Sequence, residues 1–444
     1  MDEGVRSIRF DTERCRGRMA CLRVCPTQAI RVRNRKAMLL PDRCIDCGEC
    51  ARVCPNRAVV PLTSSSNGFS QFKCTVALPS PVFYSQFGKD ISPSAVLNAL
   101  TRTGFDHAYD VACASESVSI AIQEYIERNN QPRPLISPFC PAIVRLIQVR
   151  YPNLLDNLIP IDSPMEIAAR EAKHIKMKEL GLKPSEIGVI YITPCPAKMI
   201  AIKNPPRKHH SFVDGTIAIS EIYPAVLQAL SQSSNVGAAA EIRGLGLGWP
   251  AMGGQVASLK AEDCLAIGGV YDVVRLFEDI ENGKLKDIQY IECHSCPTGC
   301  VGGSLNVINP YIARGRVLQM VARFGSKPCQ DREKIRELFQ KNFFSLPGKI
   351  PAFPVKPLDD DVTIGIEKLH QKQKIFEMLP KIDCSACGSP TCMTLAEDIV
   401  TGQAESDDCV FLAMKKFETL SGNLMETVLK HSRKVHTMTE PDAS

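Results

Sequence analysis

The cysteines are the residues whose types and spacing carry chemistry. Cys44-x2-Cys47-x2-Cys50-x3-Cys54-Pro55 packs four thiols into one short segment. In a run of this form three thiolates wrap one [4Fe-4S] cube and the fourth serves a neighbouring cluster; structural zinc is the alternative. Cys21-Leu22-Arg23-Val24-Cys25-Pro26 returns 29 residues later as Cys50-Ala51-Arg52-Val53-Cys54-Pro55, an internal duplication. The crossed arrangement predicts that Cys25, Cys44, Cys47 and Cys50 hold one complete cluster, and that Cys15, Cys21 and Cys54 hold the other. Arg18 stands where that second set needs a cysteine, and a guanidinium only donates hydrogen bonds. The expectation there is a [3Fe-4S] cluster, an incomplete [4Fe-4S] cluster, or a degenerate site left empty.

A second thiol group lies near the C-terminus: Cys384-x2-Cys387-x4-Cys392, with Cys409 after a helical stretch. It resembles the small four-cysteine [4Fe-4S] domain of several electron-transfer proteins, with zinc again the alternative.

Between these groups, three loops each follow a candidate strand. They read Ser137-Pro138-Phe139-Cys140-Pro141, Thr193-Pro194-Cys195-Pro196-Ala197-Lys198, and Glu292-Cys293-His294-Ser295-Cys296-Pro297-Thr298-Gly299-Cys300-Val301-Gly302-Gly303. The loops resemble the [FeFe]-hydrogenase motifs Thr-Ser-Cys-Cys-Pro, Met-Pro-Cys-x-x-Lys and Glu-x-Met-Ala-Cys-x-Gly-Gly-Cys-x-x-Gly-Gly. The resemblance implies that Cys140, Cys195, Cys296 and Cys300 bind a [4Fe-4S] cubane. It further implies that Cys300 bridges to a diiron subsite with CO and CN ligands, the two parts forming an H-cluster. Lys198 matches the lysine that hydrogen-bonds a cyanide, for which a fixed ammonium is suited.

The departures from those motifs are as informative. Phe139 stands where efficient members carry a proton-relaying cysteine, and a phenyl ring exchanges no proton. Thr193 and His294 replace two pocket methionines, and Ala201 replaces a glutamate. His294 is a substitute relay or hydrogen-bond donor on this reading, against a histidine that merely solvates its loop. Slow turnover is expected.

The elements that must position these loops follow from periodicity. CTVALP, PLIS, IGVIYIT, GTIAIS and DIQYIE read as strands alternating with helical segments, which predicts largely parallel sheets with ligands at the carboxyl ends. The predicted fold is an α/β catalytic domain of two lobes with mainly parallel sheets. It is flanked by an α+β ferredoxin-like domain and a small helical Fe-S domain. Expected boundaries are 1–62 for the two-cluster ferredoxin-like domain, 70–345 for the H-cluster domain, 346–364 for a Pro-rich linker and 365–444 for the four-cysteine domain. The polar stretch Thr63–Gly68 marks the first boundary; Pro347, Pro351, Pro354 and Pro357 stiffen the linker. Phe417, Leu420, Leu424 and Val428 recur at helical spacing, an amphipathic helix that packs within the monomer or pairs with a second copy or partner.

Composition narrows the alternatives. Of 20 cysteines in 444 residues, 13 lie within six residues of another, a metal-ligand pattern. No apolar leader follows Met1 and no apolar run is long enough to cross a membrane, so a cytoplasmic setting is expected; the hydrogenase resemblance implies an anaerobic one. With 53 basic and 48 acidic residues no nucleic-acid role is expected. The N-terminal cluster of Arg6, Arg9, Arg14, Arg16, Arg18, Arg23, Arg31, Arg33, Arg35 and Lys36 reads as a solvated face or a docking surface for an acidic redox partner. Cys74, Cys113, Cys264 and Cys329 read as isolated buried hydrophobes; Cys293 stays open. No nucleotide cofactor is expected.

The resemblance as a whole implies the sensory-type branch of the family, with Cys300, Lys198 and His294 at the chemistry. A low-turnover hydrogenase interconverting H2 with two protons and two electrons is expected, its electrons relayed through Fe-S clusters to a ferredoxin-type acceptor. Expected partners are maturation proteins, a redox or signalling protein, and a second copy or a larger complex. The alternative is a non-catalytic electron-transfer or Fe-S carrier protein lacking the diiron subsite.

Overall fold

All seven residues of Ile187–Thr193 are buried, and a run apolar on both faces suits the middle of a helix-covered parallel sheet. A computed structural model describes residues 7–62, 69–128, 133–205, 210–232, 242, 244–259, 261–346, 348–353 and 355–437, with side chains to 431. The Thr63–Gly68 boundary, Pro347, Pro354 and Arg6 lie outside the described residues. In chain order the strands are β1 (Ile8–Phe10), β2 (Ile30–Arg33), β3 (Lys36–Leu39), β4 (Val59–Pro61), β5 (Cys74–Pro79), β6 (His107–Ala108), β7 (Leu135–Ile136), β8 (Ile187–Thr193), β9 (Gly215–Ala218), β10 (Cys264–Gly268) and β11 (Tyr290–His294).

The fold is mixed α/β with parallel sheets. One sheet has the order β6-β5-β8-β9 and the other β10-β11-β7, parallel throughout. Alternation along the strands feeds two cores. Val76, Leu78, Val189 and Tyr191 pack with the helices Val111–Glu127 and Pro164–Leu180. Ala77, Ile190, Ile192 and Ile217 pack on the opposite face with the helices Pro93–Thr101 and Ile219–Ser231. In the second sheet Ile136 and Ile291 join Val273 and Phe277.

Strand prediction missed β10 and set DIQYIE three residues early. β10 is an edge strand whose five residues are all half-buried, so its apolar pattern is weak. GTIAIS stops as a strand at Ala218, where a helix begins at once.

The chain forms two compact units, Met1–Asp11 with Pro41–Pro354, and Thr12–Leu40 with Val355–Ser444. The first contains both parallel sheets and the antiparallel pair β1–β4. In the second, β2 and β3 form an antiparallel hairpin through Asn34 and Arg35, both at positive φ, as a two-residue turn of the primed type requires. Val32 N–H donates to Gly388 O at 2.8 Å. Gly388 has φ +82°, and a Cβ there would stand 1.9 Å from Val32 O, so only glycine fits.

The basic N-terminal segment is not uniformly solvated. Arg31 is 1% exposed, its Nε donating to both Asp398 oxygens at 2.8 and 2.6 Å. Arg33 Nη2 reaches the same carboxylate at 2.8 Å. The docking-surface expectation therefore fails for these two, because a buried guanidinium needs a fixed counter-charge. The C-terminal helix Val410–Thr437 forms as expected, but Phe417, Leu420, Leu424 and Val428 are all exposed, against the expectation that they pack within the monomer. No described helix is long and apolar enough to cross a membrane.

Candidate metal centre

Three of the cysteine loops leave parallel strands at their carboxyl ends. β7 leads through Ser137 to Cys140, the residue before the helix Pro141–Arg150. β8 leads to Cys195, the residue before the helix Pro196–Lys203, and places Lys198 in that helix's first turn. β11 ends at His294 and leads through Cys296 to the turn Cys300–Gly302. Pro194 O accepts from Leu305 N–H at 2.9 Å, joining the second loop to the third. The closing glycine pair has a steric reason, since a Cβ on Gly303 would sit 2.3 Å from Pro194 O.

The sulfurs of these loops act on one another. Burial pushes the Cys195 thiol up to about 12; Lys198 opposes the rise, and Cys300 and Cys140 add to it. Burial likewise raises Cys296, with Arg52 opposing and Cys195 and Cys140 reinforcing. The Cys140 thiol donates to Ser295 Oγ at 3.6 Å. Cys300 differs: burial acts to raise it, yet the Lys198 charge and a hydrogen bond from His294 bring it down to about 7. Burial alone would lower Lys198, but Tyr191, Cys300 and Cys195 hold it above its ordinary value, with Nζ donating to Tyr191 Oη at 3.2 Å. Buried and half-buried thiols from three loops that act on one another electrostatically, one biased toward thiolate, suit a cluster that accepts only deprotonated sulfur.

His294 is held from two sides. Nε2 lies 2.7 Å from Glu292 Oε1, while the ring also hydrogen-bonds Cys300, and these contacts raise its pKa well above the ordinary value although burial acts to lower it. Glu292 is wholly buried and accepts from Gly253 N–H at 2.9 Å and Val256 N–H at 3.0 Å. The reading of His294 as a loop histidine facing solvent is wrong: it is 4% exposed. Phe139 is 8% exposed and packs on Trp249 at a ring distance of 5.2 Å.

Several of the other thiols accept from backbone amides within their own unit. In the first, Asp46 N–H donates to Cys44 Sγ at 3.4 Å and Ala58 N–H to Cys54 Sγ at 3.2 Å; Cys50 is buried and Cys47 half-buried. In the second, Ala29 N–H donates to Cys25 Sγ at 3.2 Å and Ala37 N–H to Cys15 Sγ at 3.3 Å, and Cys21 is buried. Amide donors of this kind stabilise cluster thiolates. Cys384, Cys387, Cys392 and Cys409 all line one cavity, with Leu395 and Val410 forming part of its apolar wall.

Comparison with known proteins accords with this arrangement. Residues 73–230 match the family described as iron only hydrogenase large subunit, C-terminal domain. Residues 7–55 match a 4Fe-4S dicluster domain, and 379–411 a putative Fe-S cluster domain. Residues 73–230 are thus similar to the C-terminal domain of the iron only hydrogenase large subunit. Iron hydrogenase 1 of Clostridium pasteurianum is 25% identical over 276 residues, 52% of this chain and 48% of that protein. The periplasmic [Fe] hydrogenase large subunit of Nitratidesulfovibrio vulgaris is 24% identical over 237 residues, 48% of this chain and 56% of that protein. The chain thus spans about half the length of the curated relatives it matches. A solved [FeFe]-hydrogenase from Chlamydomonas reinhardtii aligns with a TM-score of 0.49 at 16% identity, over 63% of this chain and 95% of that one.

In this hydrogenase-like chain, sequence reasoning missed Arg52, whose Nη2 donates to Gly302 O and lies 3.8 Å from Cys296 Sγ. Its position inside the Cys50–Cys54 segment was the available signal. Glu292 was seen only as a motif residue, yet it anchors His294. Cys113 and Cys329 are not isolated hydrophobes: their sulfurs are 2.7 Å apart and both are half-buried. Cys264 is also only half-buried, whereas Cys74 and Cys293 are buried.

Proposed function

We propose that this hydrogenase-like Fe-S protein is a sensory-type, low-turnover [FeFe]-hydrogenase that interconverts H2 with two protons and two electrons. The observation that carries the reading is the convergence of Lys198 and His294 on Cys300, at the meeting of three cysteine loops.

On this reading Cys140, Cys195, Cys296 and Cys300 would hold a [4Fe-4S] cubane, and Cys300 would also serve the diiron subsite. That subsite, bearing CO and CN ligands, supplies reversible H2 cleavage. Lys198 presents its ammonium to an anionic ligand of the centre. His294 exchanges a proton with Glu292 Oε1 across 2.7 Å, a substitute for the relay that Phe139 removes. The apolar contact of Phe139 with Trp249 excludes water from that side, so proton supply limits the rate.

Further Fe-S clusters, when bound, would supply one-electron storage and relay. Cys25, Cys44, Cys47 and Cys50 hold one [4Fe-4S] cluster; Cys15, Cys21 and Cys54 hold the cluster altered by Arg18; Cys384, Cys387, Cys392 and Cys409 hold the last. The expected layout is a two-cluster domain over 1–62, the H-cluster domain of two lobes over 70–345, a linker over 346–364 and a four-cysteine domain over 365–444. A cytoplasmic location and a redox or signalling partner belong to the same proposal.

Infrared spectroscopy of protein loaded by its maturation enzymes tests it. Bands from CO and CN ligands are expected, shifting under H2. Their absence in protein with full cubane iron would leave a non-catalytic electron carrier.

A further inference from the structure

We propose that Cys113 and Cys329 form a thiol pair that closes to a disulfide by exchange with a small-molecule disulfide. Closure staples the chain before the helix Arg332–Gln340 to the helix Val111–Glu127.

The two residues are 216 positions apart, and the fold alone brings them together. Cys113 occupies the first turn of the helix Val111–Glu127, whose N-cap Asp110 accepts from Ala112 N–H at 3.0 Å. Cys329 lies between the helices Pro310–Phe324 and Arg332–Gln340. Polar contacts fix both thiols. Glu116 Oε1 accepts from Cys329 N–H at 3.1 Å and Gln330 N–H at 3.4 Å. The Cys329 thiol donates to Glu116 Oε2 at 3.6 Å, and Gln330 Nε2 donates to Cys113 Sγ at 3.1 Å.

The spacing selects a disulfide over a metal. The sulfurs stand 2.7 Å apart, and a covalent S–S bond is about 2.05 Å, so closure needs a shift of roughly 0.7 Å. Two thiolates on a tetrahedral ion, each about 2.3 Å from it, sit roughly 3.8 Å apart. Neither cysteine falls in any cluster motif.

The exchange balances without another reactant. The Cys113 sulfur attacks one sulfur of the small disulfide, breaking its S–S bond and releasing one thiol. The Cys329 sulfur then attacks the mixed disulfide at Cys113 and releases the second thiol. The two protein thiols are oxidised, the small disulfide is reduced, and their two protons leave on the released thiols.

The staple bears on the cluster loops through one helix. Ser119, on the helix that carries Cys113, accepts from Trp249 Nε1 at 2.8 Å. The residues after Trp249 hold the third cysteine loop: Met252 N–H donates to Thr298 O at 3.0 Å, and Val301 N–H to Pro250 O at 3.1 Å.

The test uses the full chain with its clusters reconstituted, incubated anaerobically with oxidised glutathione or with a phosphine reductant. Free thiols are then alkylated and peptides analysed by mass spectrometry. The expected result is a Cys113–Cys329 linked peptide after oxidation, both cysteines alkylated after reduction, and a melting temperature higher by roughly 5 °C in the oxidised form. C113S and C329S should each abolish the link and the shift while leaving the iron content and visible spectrum unchanged. Alkylation of both cysteines after oxidation, or stable glutathione adducts without the link, would overturn the proposal.

Discussion

Arg52, two residues before Cys54, donates through Nη2 to the carbonyl of Gly302 and holds that nitrogen 3.8 Å from Cys296 Sγ. One guanidinium thus joins the Cys44–Cys54 segment to the third cysteine loop, and its charge acts directly on a buried sulfur. A fixed positive charge favours the reduced, more negative form of a cluster.

Arg52→Gln removes the charge while keeping a donor. The cluster proposed at Cys140, Cys195, Cys296 and Cys300 is expected to drop in midpoint potential by about 60 mV, equivalent to about 1.4 kcal/mol for a one-electron couple. A redox titration followed by electron paramagnetic resonance reads this, and an unchanged or higher potential refutes it.

Asp398 is the common partner of Arg31 and Arg33, and Ser389 Oγ donates to it at 2.6 Å. Asp398→Ala leaves a buried guanidinium without its counter-charge, at a cost of about 3–5 kcal/mol. Denaturant unfolding should show a loss of this size; a change below about 1 kcal/mol means the pair is not buried in solution.

Phe139→Cys places a thiol where the proposed relay is interrupted. H2 uptake by the loaded protein with an artificial acceptor should rise about 100-fold. Stability should fall by about 3 kcal/mol, because the cavity facing Trp249 is not refilled. Faster turnover with unchanged infrared bands supports the relay argument; no gain places the rate limit elsewhere.

Gly303→Ala forces a Cβ to within 2.3 Å of Pro194 O, and backbone yields less readily than a side chain. The second and third loops should separate, costing about 1–3 kcal/mol and lowering iron bound at the central site while the terminal clusters persist. Iron analysis with Mössbauer spectroscopy distinguishes these sites, and full iron retention counts against the clash.

Legibility in the sequence followed how local each signal was. The strand Ile187–Thr193 was read to the residue because an unbroken apolar run between turn-forming segments admits few alternatives. Cys264–Gly268 escaped notice because an edge strand needs no such run. Arg31 looked like one member of a basic surface, since its partner Asp398 is 367 residues away and no periodicity connects them.

By itself the sequence determined the chemistry available: cysteines at cluster spacing, a lysine after Cys195, and a phenylalanine where a thiol is usual. These are short-range facts, set by how many residues lie between neighbouring ligands. Only the tertiary structure decided which thiols face charge. Burial raises Cys195 and Cys296 while Lys198 and His294 lower Cys300, and it is packing that joins Arg52 to Cys296 and Cys113 to Cys329. Electrostatic and covalent pairing depend on distance in space, which chain separation does not encode.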